Sequence, residues 1–359
     1  MSTLTVPPVP PSPRDDAIQL YRAFKGFGCD SEAVVNIIAH RDATQRALIQ
    51  QEYRTMYSED LLKRLSSELS GKLEKAVLLW MHDPAGRDAI IVKQSLSGDT
   101  HNLEAGSEII CSRTPAQIQT LKQIYYSMFG VYVERDIEYH TSGDHSKRYI
   151  CLRHRTWSIG EGSLVCFAFP AELRPSSTLL QCRNSLGSET SNSANDGSAT
   201  TVGEGRDGSD GGARERSERE KDVVPAVEVG CGSRQRWGER SRAHLAAIDS
   251  AYHDMYGTSL KKAVKSETSG KFELALLTIL QCALNPAKYF AKVLHKAMKG
   301  LGTDDMTLTR VVVTRAEMDM QYIKGEYHRK HHKTLNDAVR SETSGHYRSF
   351  LLSLLGPNH

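Results

Sequence analysis

No stretch of this 359-residue chain approaches about 18 consecutive apolar residues, which excludes a helix that crosses a bilayer. Charge of one sign is equally scarce. Lys and Arg number 46 against 43 Asp and Glu, a net charge of +3. So near a balance argues against a dedicated nucleic-acid binder and leaves ion-bridged contact with a membrane open. No Cys-x-x-Cys pair suggests zinc, and no Cys-x-x-Cys-His offers haem attachment. Gly71-Lys72-Leu73 and Gly270-Lys271-Phe272 lack the Ser or Thr that follows the lysine of a phosphate loop. Residues 1–14, rich in proline and serine, have no apolar core of signal-peptide length and read as a flexible tail. With seven cysteines, an odd count, that fits reduced thiols and a cytoplasmic protein.

What the chain does contain is one loop written twice. Phe24-Lys25-Gly26-Phe27-Gly28-Cys29-Asp30 returns as Met298-Lys299-Gly300-Leu301-Gly302-Thr303-Asp304. Each copy is answered by a carboxylate at the same distance, Glu68 (68 − 24 = 44) and Glu342 (342 − 298 = 44). Closely spaced glycines let backbone carbonyls point at one spot, and calcium takes oxygen ligands that commonly include a bidentate carboxylate. The carbonyls of Phe24, Gly26 and Gly28 with Glu68 would form one partial shell; Met298, Gly300, Gly302 and Glu342 would form the other. One carboxylate against a divalent ion leaves net positive charge and open coordination positions, which an anionic oxygen such as a phospholipid phosphate would complete. The plainer alternative is that each Gly-x-Gly is a turn between helices. Phe27 and Leu301, at the loop apices, would dip into the lipid interface or fold back onto their helices, while Lys25 and Lys299 meet headgroup phosphates.

Self-comparison finds a period. Arg41, Arg113, Arg240 and Arg315 are each followed, 27 positions on, by Glu68, His140, Glu267 and Glu342 (68 − 41, 140 − 113, 267 − 240, 342 − 315). Between these marks apolar residues recur at three- and four-residue intervals and strand signals are almost absent. The chain therefore reads as all-α, four copies of a helical unit of about 70 residues, stabilised by packing on their neighbours.

These loops and their distant glutamates resemble the annexin family, and in detail plant annexins. The resemblance covers residues 10 to about 147 and about 239 to 357. It implies four annexin-like repeats in a curved disc, calcium as cofactor, calcium-dependent binding to anionic phospholipid, and peripheral membrane association when calcium rises. No catalytic residue and no nucleic acid enter this reading. The chain divides into a tail over 1–14, repeat one over 15–84, a truncated repeat two over 85–148, a non-family segment over 149–238, a partial repeat three over 239–285 and repeat four over 286–359. The segment 149–238 is largely Gly, Ser, Asn, Asp and Glu toward its middle, a signature of disorder. It replaces the last helix of repeat two and the first helix, loop and part of the second helix of repeat three, and reads as a splice or gene-model product, or else as an inserted regulatory loop.

Repeats two and three are poor candidates for calcium. The loop position of repeat two reads Leu96-Ser97-Gly98-Asp99-Thr100 and its acid is replaced by His140; repeat three keeps Glu267 but has Val223-Val224-Pro225 at its loop position. Resemblance also brings alternatives. Plant annexins with a histidine at the place of His40 have been linked to haem and peroxidase activity, against a packed or surface histidine. Membrane ion conductance is associated with the family as well. Actin is a further partner in the family, but the Ile-Arg-Ile motif involved falls in the replaced region. Cys111 and Cys282 sit where plant annexins often carry cysteines and read as small buried residues or redox groups. His328-Arg329-Lys330-His331-His332-Lys333 reads as a solvated helix end or as a contact for acidic lipid at low pH.

Overall fold

Side chains that accept hydrogen bonds mark where helices begin. Asp42 accepts from the Gln45 N–H, and the Gln45 side chain answers on the Asp42 N–H; Thr114 and Gln117 repeat that capping box 72 positions later (114 − 42). Each satisfies backbone donors that a helix start leaves orphaned. The computed structural model describes residues 1–9, 11–26, 28–97, 103–141, 242–300 and 302–358, all within one unit formed by Met1–Val165 with Gln235–His359. Phe27, Leu301 and the whole of 149–238, including the Val223-Val224-Pro225 position and the place of the actin motif, lie outside the described residues.

The first copy holds five helices: α1 Pro13–Ala23, α2 Ser31–Ile38, α3 Ala43–Tyr57, α4 Leu61–Glu68 and α5 Gly71–Met81. The last copy repeats them as α13 Pro286–Met298, α14 Asp305–Arg315, α15 Met320–His331, α16 Leu335–Glu342 and α17 Gly345–Leu355. In the second copy α6 Pro84–Leu96, α7 Leu103–Ser112, α8 Pro115–Phe129 and α9 Val133–Thr141 correspond to the first four of these. In the third, α10 Arg242–Tyr256, α11 Leu260–Glu267 and α12 Gly270–Leu284 correspond to the last three. No strand occurs among the described residues.

Packing follows the repeat. Helix α1 lies on α3, α6 on α8 and α13 on α15. One apolar cluster joins the first and last copies, with Leu20, Tyr53, Trp80, Leu294 and Phe350 fully enclosed. Of the periodic arginines, Arg41, Arg113 and Arg315 are buried, each with a carboxylate. Arg41 forks onto Asp16 at 2.6 and 2.8 Å, and Arg113 forks onto Asp88 at 2.6 and 2.7 Å. At the corresponding place of the last copy stands Phe290. Arg315 stacks on it, with 4.4 Å between guanidinium and ring centre, and takes Asp319, one turn on, as its carboxylate. Cys111 and Cys282 are buried in the core, in keeping with their reading as small apolar residues.

The N-terminal residues differ from the expected flexible tail. Thr3 donates its backbone N–H to the Ala316 carbonyl at 3.0 Å and its hydroxyl to the Leu354 carbonyl at 2.7 Å, and the Ser2 hydroxyl also reaches Ala316. The Gln321 N–H donates to the Met1 carbonyl. Both acceptors of Thr3 lie at helix C-termini, where carbonyls lack partners within the helix. That supply of acceptors holds a segment whose composition suggests freedom.

Candidate functional site

The two glycine loops are built alike down to single hydrogen bonds. In the first copy the Asp30 N–H closes the loop onto the Ala23 carbonyl at 2.9 Å; in the last, Asp304 closes onto Ala297 at 2.8 Å. Asp30 then caps α2 by accepting from the Ala33 N–H, and Asp304 caps α14 by accepting from Thr307, both at 3.0 Å. Gly28 and Gly302 have φ of 96° and 91°, a region that side-chain-bearing residues rarely occupy. Nothing lies within 4 Å of a Cβ built on either, so backbone angle alone confines these positions to glycine.

Phe24 and Met298 turn their side chains into the core. Lys25, Gly26 and Gly28 are exposed, as are Lys299, Gly300 and Gly302. The Lys25 ammonium sits 4.6 Å from the ring centre of Tyr21, which stacks on Tyr57. Glu68 and Glu342 are the last residues of α4 and α16. Phe27 and Leu301, the expected lipid-dipping residues, lie outside the described residues.

The carboxylates are engaged differently. Glu342 accepts from the Thr303 hydroxyl of its own loop at 3.2 Å. Glu68 takes a cation: the Arg64 Nη2 lies 3.0 Å from Glu68 Oε1 and donates to the Phe24 carbonyl at 3.4 Å. A positively charged group thus already bridges two of the oxygens expected to ligate calcium. One cationic nitrogen in contact with both oxygens shows that this pair of acceptors takes positive charge, as a cation's donor set does. Among the described residues no three His, Cys, Asp or Glu side chains form a metal-binding group; a shell of loop carbonyls and one glutamate takes all but one of its protein ligands from the backbone.

The second copy is wired otherwise. His140 faces Asp136 at 3.5 Å, and Asp136 also accepts from Lys93 at 2.8 Å and from the Tyr125 hydroxyl. Burial alone would raise the Asp136 pKa, but these donors prevail and hold it below the usual carboxylate range. The position that carries a loop-facing acid in the outer copies is here part of an internal network. Residues 98–100 of its loop lie outside the described residues. In the third copy Glu267 ends α11 as Glu68 ends α4, and accepts from the neighbouring Ser266 hydroxyl at 3.2 Å.

His40 follows α2 and places Nδ1 3.0 Å from the Thr5 carbonyl. The Arg64 contact escapes the sequence reading, because an Arg four residues before a Glu on a helix reads as an ordinary surface pair. The one available signal was that Ala338 occupies the corresponding place of the last copy (64 − 24 = 40; 338 − 298 = 40).

Helical copies of one plan, carrying at two places a glycine loop answered by a helix-end glutamate, define a helical-repeat protein with a duplicated loop. The chain belongs to the annexin family. A family profile described as Annexin matches residues 15–80, 87–152, 237–279 and 289–354, more than half of the chain. The third match is the short one, and the third repeat is incomplete. The chain is 46% identical to annexin D5 of Arabidopsis thaliana over 358 residues, covering 100% of both chains. Among solved structures it is similar to annexin III, with a TM-score of 0.74 at 26% identity over 100% of this chain and 98% of that one. Its fold also matches the crystal structure of calcium-bound annexin (Sm)1, with a TM-score of 0.68 at 24% identity over 100% and 94%. The family is one of calcium-dependent phospholipid-binding proteins, and calcium is its ion. No helix among the described residues is long and apolar enough to cross a membrane.

Proposed function

We propose that the chain binds anionic phospholipid surfaces in response to calcium through its first and last copies. The observation that carries this reading is the duplicated loop: the same closing hydrogen bond, the same aspartate cap, and a glutamate at the same helix end. The Phe24, Gly26 and Gly28 carbonyls with Glu68 would hold one ion, and those of Met298, Gly300 and Gly302 with Glu342 the other. Bound calcium would supply the positive charge that joins these protein oxygens to a lipid phosphate. Lys25 and Lys299 flank the loops as exposed cations suited to neighbouring headgroups. Phe27 and Leu301 at the apices are the residues proposed to enter the interface. The protein would be cytoplasmic, reaching the membrane surface as calcium rises.

The His40 contact with Thr5 supports a packing role for that histidine, in preference to a haem ligand. Ion conductance has no comparable support.

Calorimetric titration with calcium, with and without soluble short-chain phosphatidylserine, tests the site assignment. Two ions are expected, each bound more tightly in the presence of lipid, with one lost in Glu68→Gln and the other in Glu342→Gln. Unchanged stoichiometry in both variants would contradict it.

A further inference from the structure

We propose that Arg64 sets the calcium threshold of the first-copy loop by holding the ion's place, so that calcium enters only as the guanidinium leaves. This rests on the reading of Phe24 and Glu68 as ligands of one ion. A single nitrogen, Arg64 Nη2, reaches both the Glu68 carboxylate at 3.0 Å and the Phe24 carbonyl at 3.4 Å. A cation that satisfies the two ends of the shell neutralises the carboxylate and competes with any ion drawn to it.

The grip is firm enough to compete and loose enough to release. The Arg64 side chain is 35% exposed, so its pair with Glu68 is screened by water. Its contact with the Phe24 carbonyl is long. Arg64 Nε is buried without a hydrogen-bond partner, so this pose leaves one donor unsatisfied. Beneath lies the Phe24 ring, 5.9 Å from the guanidinium carbon, a weak further attraction. Once displaced, the guanidinium stays tethered beside the loop mouth, where a lipid phosphate completing the shell would offer it a bidentate partner.

The last copy has no such device. Ala338 stands in the place of Arg64, and Glu342 accepts from the neutral Thr303 hydroxyl, whose counterpart in the first copy is Cys29. The two loops, alike in backbone, therefore differ in what calcium must displace, and the last copy fills at lower calcium than the first.

The test is a lipid-free calcium titration of the full-length chain, followed by calorimetry and by sensitised terbium luminescence. In a Glu342→Gln background, which isolates the first loop, Arg64→Met is expected to tighten calcium about two- to fivefold, the worth of a partly exposed ion pair. Arg64→Lys, which keeps the charge on a shorter reach, should fall between. In a Glu68→Gln background, which isolates the last loop, Arg64→Met should change nothing, with equal helicity in all variants. Identical isotherms with and without Arg64→Met in the Glu342→Gln background would overturn the threshold role while leaving the site reading intact. No calcium at the first loop, whether Arg64 is kept or replaced, would overturn both.

Discussion

Two arginines share one glutamate, Glu317, at the joint between the first, second and last copies. Arg46 and Arg87 each lie over the Trp80 indole, with guanidinium carbons 4.0 and 4.1 Å from its ring centre, and both reach Glu317, at 3.2 and 2.7 Å. Burial, followed by repulsion from Arg87, pushes the Arg46 pKa down to about 9. Glu317→Gln would leave two buried, mutually repelling cations without the carboxylate they share. The expected loss is about 3 kcal/mol of unfolding free energy, read from the denaturant midpoint, because removing one partner of a buried pair strands the other. A loss within about 0.5 kcal/mol, typical of a surface substitution, would show that solvent already screens the cluster. None of this was visible in the sequence, since Arg46, Arg87 and Glu317 share no spacing that marks them as partners. Glu68 and Glu342 were visible, because their separation from the glycines recurs.

Helix ends show the same contrast. The residue ten positions before each repeat's anchor is Ser58, Gly130, Gly257 or His332 (68 − 58, 140 − 130, 267 − 257, 342 − 332), and all four have φ between 54° and 68°. Two glycines announced a helix stop; Ser58 and His332 adopt the same left-handed turn without announcing it, because the repeated backbone overrides residue preference. The basic run that ends α15 is likewise only partly solvated. His331 stacks on His295 of α13 at 3.8 Å with 11° between the rings, beside Tyr327, and so departs from the reading of a wholly solvated helix end. Burial lowers both histidine pKa values, Lys299 and Lys330 lower them further, and for His331 so do His295 and His332. Folded-state values below the unfolded reference mean that the unfolded chain takes up protons first. The stability these groups contribute is therefore present above about pH 6.5 and is lost as pH falls below it. The thermal midpoint should drop between about pH 7 and pH 5.5, and a His295→Phe/His331→Phe pair, which keeps the stacked rings, should flatten that drop. An equal acid slope in the variant would place the sensitivity elsewhere.

At the scale of the whole molecule, the helical class and the fourfold repeat were legible because arginine and anchor recur at a fixed interval, and the described helices follow them. The docking of Ser2 and Thr3 was not legible: it depends on carbonyls at the ends of α14 and α17, far away in sequence. Nor was the effect of the helix residue 40 positions on, Arg64 in one copy and Ala338 in the other, on two loops that share every glycine. Two weak sites on one chain, as proposed here, would reinforce each other once one is engaged, since the second contact becomes intramolecular. Co-sedimentation of the full-length protein with phosphatidylserine vesicles across a calcium series, beside Glu68→Gln, Glu342→Gln and the double variant, tests this most directly. Pelleting that requires calcium, shifts to higher calcium in each single variant and disappears in the double variant is the expected result. Calcium-dependent pelleting that persists undiminished in a double variant of equal helicity would contradict the two-loop account.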